Sequence, residues 1–253
     1  MNFLSLIKRN ILFKLKKKIN IDKDINDKDF NLEYLFKFYN TDKAKFYKQS
    51  KNSEIDKIEI GHGYSQFYEK HFSDFKDKKI NLLEIGSYFG SSAAAFSKYF
   101  PHAKIFCIDI NLSNFRYESK NIFPFGLDAT NSKMVKRFLD KINLGENPFF
   151  DIIIDDGSHL LSHQLKSLDI FYNTVSPGGY YVIEEYRFCE FLNHLKDTSD
   201  PPLSKIISDI KNNKSLNLKH INEQTLNNII QKKNNIFEYK GDQEYSNIVF
   251  LKK

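Results

Sequence analysis

From residue 78 onward the apolar positions fall into short runs separated by stretches of helical character. The runs are "KINLLEIGS" (79–87), "AKIFCIDI" (103–110), "NIFPFGLDAT" (121–130), "FFDIIID" (149–155) and "GYYVIEEY" (179–186). Most are continuously apolar rather than alternating, the pattern of strands covered on both faces. Between them, "SSAAAFSKYF" (91–100), "NSKMVKRFLDKI" (131–142) and "HLLSHQLKSLDIFYNTV" (159–175) predict helices. Asn131 stands as an N-cap, and Pro177-Gly178-Gly179 is expected to stop the third helix. The alternation predicts a mostly parallel sheet with helices on both sides. Two final runs, "NNIFEYKG" (234–241) and "YSNIVFLKK" (245–253), predict an antiparallel hairpin that closes it. Residues 202–232 read as mostly helical and polar. Residues 1–77 lie outside the sheet and are expected to form a helical cap on a sheet domain spanning 78–253. The weakly periodic stretch 43–61 is expected to be a mobile loop or lid.

The chain has 253 residues, 41% of them hydrophobic, with 24 Phe and no Trp, which suits a globular fold. Its net charge of +6 is local. Six of the 38 Lys and Arg fall within residues 1–20, which contain no acid, so the body balances at 32 basic against 32 acidic residues. No basic stripe or nucleic-acid motif marks that body, so a nucleic-acid partner is not expected. The basic segment "MNFLSLIKRNILFKLKKKINI" carries Leu4, Ile7, Ile11, Leu15 and Ile19 at helical spacing. It is too charged to span a bilayer and lacks the form of a signal peptide. A surface or subunit-packing helix, as in a homo-oligomer, is the favoured reading. A helix lying on an anionic membrane surface is the other. Cys107 and Cys189 form no cluster, and a reducing cytoplasm fits them.

The candidate chemistry sits at the ends of the apolar runs. In an open α/β sheet, ligands bind beyond the carboxyl ends of the strands. The first run ends in "EIGSYFG", with Glu84, Gly86, Ser87 and Gly90. A dinucleotide fingerprint requires G-x-G-x-x-G, but position 88 is Tyr. The E-x-G-x-x-x-G pattern instead resembles motif I of the class I S-adenosylmethionine (SAM) methyltransferases. The second run ends at Asp109, where an acid can accept from both ribose hydroxyls. The third ends in "GLDAT", placing Asp128 to bind an adenine amino group. The order of elements is similar to the Rossmann-like, seven-stranded sheet of that fold, closing hairpin included.

The fourth run ends in Asp155 and Asp156, followed by "GSH", and the fifth ends in Glu184 and Glu185. Asp155 joins the expected cofactor-facing set. Adjacent parallel strands lie ~4.8 Å apart, so acids at their ends can converge on one ion. Three hard oxygen donors suit Mg²⁺. The plain alternative is a group of solvated acids at a helix start, where negative charge is favourable anyway. His159 follows Asp156 by one turn and is placed as a general base, whereas His163 reads as structural. "DDGSH" with the acid pair of "PGGYYVIEE" resembles the metal-dependent sugar O-methyltransferases of macrolide deoxysugars and their relatives in bacterial surface-polysaccharide clusters. That resemblance implies Asp156, Glu184 and Glu185 as the Mg²⁺ ligands and His159 as the base. It extends to Thr41-Asp42-Lys43 and "HGYSQFYEKHF", although Lys43 and His62 stand unusually far apart. The second acid is Glu185 where Asp is expected. His62 and Tyr64 are expected to act on substrate binding. The implied activity is SAM- and Mg²⁺-dependent methylation of a sugar hydroxyl, on a nucleotide-activated or capsule or lipo-oligosaccharide sugar. The rivals are a catechol-type enzyme on a non-sugar diol and a non-enzymatic membrane-surface protein.

Overall fold

A computed structural model describes residues 3–23, 30–49, 57–142, 149–196 and 199–253. The N-terminal part contains α1 (Phe3–Leu15), β1 (Ile19–Asn20), α2 (Leu32–Phe38), β2 (Phe46–Gln49), β3 (Lys57–Ile60) and α3 (Ser65–Phe72). There follow β4 (Asn81–Ile85), α4 (Ser91–Tyr99), β5 (Lys104–Asp109), β6 (Tyr117–Glu118), β7 (Ile122–Gly126), α5 (Ser132–Lys141), β8 (Phe150–Asp155), α6 (Leu161–Phe171) and β9 (Val175–Glu184). The chain ends with α7 (Phe188–Phe191), α8 (Leu203–Lys211), α9 (Glu223–Gln231), β10 (Ile236–Lys240) and β11 (Asn247–Lys252).

Seven strands form one sheet in the order β10-β11-β9-β8-β4-β5-β7. β4, β5, β7, β8 and β9 are parallel, and β11 pairs antiparallel with both β9 and β10. This is the expected doubly covered α/β sheet with its closing hairpin. Successive side chains point to opposite faces, so each strand feeds two cores. Leu83, Ile85, Phe106, Ile153 and Ile183 pack with α5, α6, α8 and α9. Leu82, Ile105, Ile152, Ile154, Val182 and Phe250 pack with α2, α3 and α4. Asn131 caps α5 as its position predicts, its side chain accepting from the Met134 amide.

The N-terminal segment is less purely helical than expected. β1 pairs with β6, and β2 pairs antiparallel with β3. Phe36, Tyr68 and Phe72 are fully buried in the same core as Leu82 and Phe250. Burying each large apolar side chain contributes ~1.5–3 kcal/mol, which ties this layer to the sheet.

Two expectations about local structure need correction. The stretch 43–61 contains the β2–β3 hairpin, and residues 50–56 of the expected loop lie outside the described residues. At the base of that hairpin the His62 amide donates to the Asp42 carbonyl (2.6 Å) and the Tyr64 amide to the Lys43 carbonyl (2.9 Å). The hairpin is thus a side excursion that returns His62 to Lys43, which reconciles their long sequence separation. Gly61 permits the closure, since a Cβ there would fall 2.0 Å from the Ala44 carbonyl oxygen. Pro177-Gly178-Gly179 also behaves differently. α6 ends at Phe171, a short 3-10 turn follows, and the Pro-Gly-Gly lies inside β9. There the register against β8 shifts between Phe150 and Ile152, and Gly178 has φ +81°. A proline lacks the N–H that a regular ladder needs, so the strand bulges at this point.

Candidate active site

The strand-end residues converge at the carboxyl edge of the sheet because β4, β5, β7, β8 and β9 are all parallel. A cavity of about 330 Å³ opens over β4, β5, β7 and β8. Gly86, Asp109, Asp128 and Asp155 line it, and Ile110 and Leu127 add apolar wall. Asp109 is held by the amides of Tyr88 (2.8 Å) and Asn111 (2.6 Å), one on each carboxylate oxygen. Asp128 accepts from the amide and the hydroxyl of Thr130. Gly86 has φ +86°, and a Cβ there would meet the Asp156 carbonyl oxygen at 2.0 Å. Asp155 is buried, accepts from Tyr181 (3.0 Å), and burial raises its pKa to about 7.

Glu84 and Gly90 line none of the cavities beside this edge. Glu84 is buried behind the loop and accepts from the Ser92 hydroxyl. Its other oxygen has no partner, and burial raises its pKa to about 7. Gly90 has φ +77° and begins α4 against the Phe115 ring. Ser87 faces a separate cavity of about 610 Å³ between this loop and Thr41, Lys43 and Arg116.

A third cavity, about 130 Å³, is lined by Asp156, His159, Glu184 and Glu185, with Asp42, His62, Phe188 and Tyr245. Asp156 lines all three cavities and so marks their junction. One donor atom each from Asp156, His159 and Glu185 lies within 4.8 Å of the others. His159 Nε2 is 3.7 Å from Asp156 Oδ1 and 3.8 Å from Glu185 Oε2. Burial lowers the His159 pKa below the ordinary histidine value, which favours neutral imidazole.

Glu184 sits deeper than its neighbour. Its oxygens accept from Tyr68 and from Lys43 Nζ (2.6 Å), and Lys43 Nζ also donates to Asp156 Oδ2 (2.5 Å). Burial opposes charge on Lys43, yet Asp156 and Glu184 hold its ammonium protonated well above the ordinary lysine range. Burial, and then the Asp156 charge, raise Glu184 to about 8 and push Glu185 up as well. Glu185 Oε1 accepts from Tyr64 (2.7 Å), leaving Oε2 toward His159. Tyr64 is fully buried, so it positions an acid rather than facing a substrate as the sequence suggests. His62 does line the small cavity, where its Nδ1 lies 2.6 Å from Ser246 Oγ. His163 lies at the cofactor-sized cavity, its Nδ1 2.8 Å from Ser158 Oγ.

The backbone marks the same loops. Tyr88 (φ +40°), His159 (φ +54°) and Glu185 (φ +43°) adopt left-handed conformations without being glycine. Each costs ~1–3 kcal/mol, and such strain collects where side chains must be aimed. Lys43, Tyr68, Phe188 and Tyr245 carry site geometry that the strand-end pattern does not single out. Lys43 and Tyr68 lie in the segment preceding the sheet, whereas nothing in the local sequence around Tyr245 signals a site.

The donor chemistry fits the implied groups. Asp109 and Asp128 present acceptors into a cavity beside Gly86, where the missing Cβ lets this loop lie directly on the Asp156–Gly157 backbone. The acids of the small cavity crowd one another, and a divalent cation would relieve that repulsion.

No family model matches the chain. It is 32% identical over 131 residues to the mycinamicin VI 2''-O-methyltransferase of Micromonospora griseorubida, covering 49% of this chain and 31% of that protein. It is 30% identical over 139 residues to the L-olivosyl-oleandolide 3-O-methyltransferase of Streptomyces antibioticus, covering 52% and 34%. The chain thus spans about a third of the length of these curated relatives. Among solved structures it is similar to the MycE methyltransferase of the mycinamycin pathway in complex with Mg, SAH and mycinamycin VI. That match has a TM-score of 0.60 at 22% identity and covers 88% of this chain and 54% of the other. The chain therefore has the Rossmann-like class I methyltransferase fold and, over about half its length, resembles the sugar O-methyltransferases of macrolide and tetracenomycin pathways.

Proposed function

We propose that the chain is a SAM- and Mg²⁺-dependent O-methyltransferase acting on a sugar hydroxyl. The observation that carries this reading is the convergence of Asp156, His159 and Glu185 at the junction of a cofactor-sized cavity and a smaller one. Asp109 would accept from ribose hydroxyls and Asp128 from an adenine amino group, with Gly86 and Asp155 shaping the wall. Glu84, Ser87 and Gly90 hold the loop that carries that wall. Asp156 and Glu185 would supply the metal's carboxylate oxygens. Glu184, engaged by Lys43 and Tyr68, anchors from behind the lysine that also holds Asp156. Mg²⁺ bound there supplies Lewis acidity toward paired hydroxyl oxygens, and SAM supplies the methyl group. His159 takes the proton of the reacting hydroxyl at Nε2. Phe188 and Tyr245 offer ring faces to the acceptor, their centroids 5.1 Å apart. Holding two reactants in register can lower a barrier by ~7–11 kcal/mol, the largest contribution asked of this site.

The relatives' names support a sugar acceptor, because they act on sugars attached to macrolide or tetracenomycin cores. For this chain the acceptor is proposed to be a nucleotide-activated sugar or a sugar of a surface polysaccharide, met in the cytoplasm.

The test is a panel of nucleotide sugars and simple glycosides, with catechol as the rival, incubated with SAM and Mg²⁺ and read by mass spectrometry. The expected result is a singly methylated sugar whose formation stops with EDTA. Methylated catechol with untouched sugars would replace this reading with the catechol-type one, and full activity in EDTA would remove the metal from it.

A further inference from the structure

We propose that the outward face of α1 docks the chain onto an anionic membrane surface. The helix has two unlike sides. Its inner side is fastened to the sheet domain. Leu6 is buried, Phe13 packs edge-on against Phe115, and Asn10 Nδ2 donates to the Gly126 carbonyl (3.4 Å). Arg9 donates to the Ile110 carbonyl (3.3 Å), and Lys16 to that of Ser113 (3.1 Å). The helix is therefore carried by the loop that follows β5 and by the end of β7.

Its outer side is apolar. Ile7, Ile11 and Leu15 recur at every fourth position with Leu12 beside them, and they are 39%, 52%, 79% and 47% exposed respectively. Residues at that spacing form one stripe along a helix. In helical projection the exposed Lys14 borders the stripe beside Ile7, the exposed Lys8 falls between Leu15 and Leu12, and the exposed Lys17 follows the helix end. A soluble surface normally places charge, not a row of large aliphatic side chains, at the most exposed helix positions.

Charge decides between occupants. A second copy laid on this stripe would set Lys8, Lys14 and Lys17 against the same lysines of the other copy, since residues 1–20 contain no acid to offset them. An anionic bilayer complements that charge and buries the stripe at once. Each cation near such a surface is worth about a fivefold gain in affinity. The helix lies in the interface rather than spanning it: among the described residues, no helix is long and apolar enough to cross a membrane.

The experiment is co-sedimentation of the full chain with phosphatidylcholine vesicles, with and without phosphatidylglycerol, at low and high salt. Binding is expected only with phosphatidylglycerol, and it should fall as salt shortens the Debye length from about 10 Å at 0.1 M to about 3 Å at 1 M. The double variant Ile11→Asp/Leu15→Asp should lose binding by about tenfold or more, and Lys14→Glu/Lys17→Glu by a similar factor. Both should keep the wild-type circular dichroism and SAM affinity, since none of the four residues lines the three cavities at the sheet edge. Equal sedimentation with and without phosphatidylglycerol would overturn the proposal. So would a dimer, seen by light scattering, that Ile11→Asp/Leu15→Asp dissociates while vesicle binding is absent. Neither result bears on the methyl-transfer reading, whose test uses soluble acceptors.

Discussion

His159→Ala is expected to lower kcat by ~10²–10⁴, the range for loss of a general acid–base group, while SAM and Mg²⁺ affinities stay close to wild type. The expectation follows from where the imidazole lies. Nε2 is within 3.8 Å of both Asp156 and Glu185, at the wall of the small cavity, and burial favours its neutral form. The contrast is Asp156→Ala, which removes a carboxylate shared by all three cavities and should abolish or sharply weaken the response to Mg²⁺. Steady-state kinetics with the acceptor identified by the panel, paired with calorimetric titration of Mg²⁺, separates the two roles. If His159→Ala weakens Mg²⁺ binding as much as Asp156→Ala does, the imidazole is a ligand. If it turns over at nearly the wild-type rate, the base is His62 or His163.

Above about pH 8, where Glu184 ionises, Lys43→Met is expected to cost ~3–5 kcal/mol of stability, the usual penalty for leaving a buried charge without its partner. The lysine side chain is 2% exposed and reaches both Glu184 and Asp156, and Glu184 is 1% exposed. Removing the ammonium strands Glu184 with only Tyr68 to satisfy it. Adding Glu184→Gln to the Lys43→Met variant should recover much of the loss, because the uncompensated charge is then gone. Tyr68→Phe alone should cost ~1 kcal/mol, the net worth of one hydrogen bond. Urea unfolding measures all three. A Lys43→Met variant within ~0.5 kcal/mol of wild type would mean that the lysine is not the counter-charge of the acid cluster.

Much of this architecture is legible in the sequence because it depends on local pattern. Continuous apolar runs such as Ile152 to Ile154 read as doubly covered strands, and they pack on both faces. Acids at run ends read as one rim because parallel strands bring their carboxyl ends to one edge. What the pattern does not carry is contact at long range. Nothing around Lys43 signals that its ammonium is buried between Asp156 and Glu184, more than a hundred residues away. The side excursion of β2 and β3 hides that contact further by separating Lys43 from His62 in sequence while closing them in space. The Pro-Gly-Gly of β9 reads as a stop because the local signal is the same for a turn and for a bulge within a strand. Glu84 reads as facing the cofactor because its spacing to Gly86 is a motif, yet it faces the interior behind the loop.

The most direct test of the central claim is calorimetric titration of SAM into the wild-type chain and into folded Asp109→Ala, both with Mg²⁺ present. The cavity over β4, β5, β7 and β8 predicts one saturable site in the wild type. The variant should bind roughly ten- to a hundredfold more weakly, because a hydrogen bond to a charged group is worth ~1.5–3 kcal/mol. No saturable SAM binding to the wild type, or an unchanged Kd in the variant, would contradict the account.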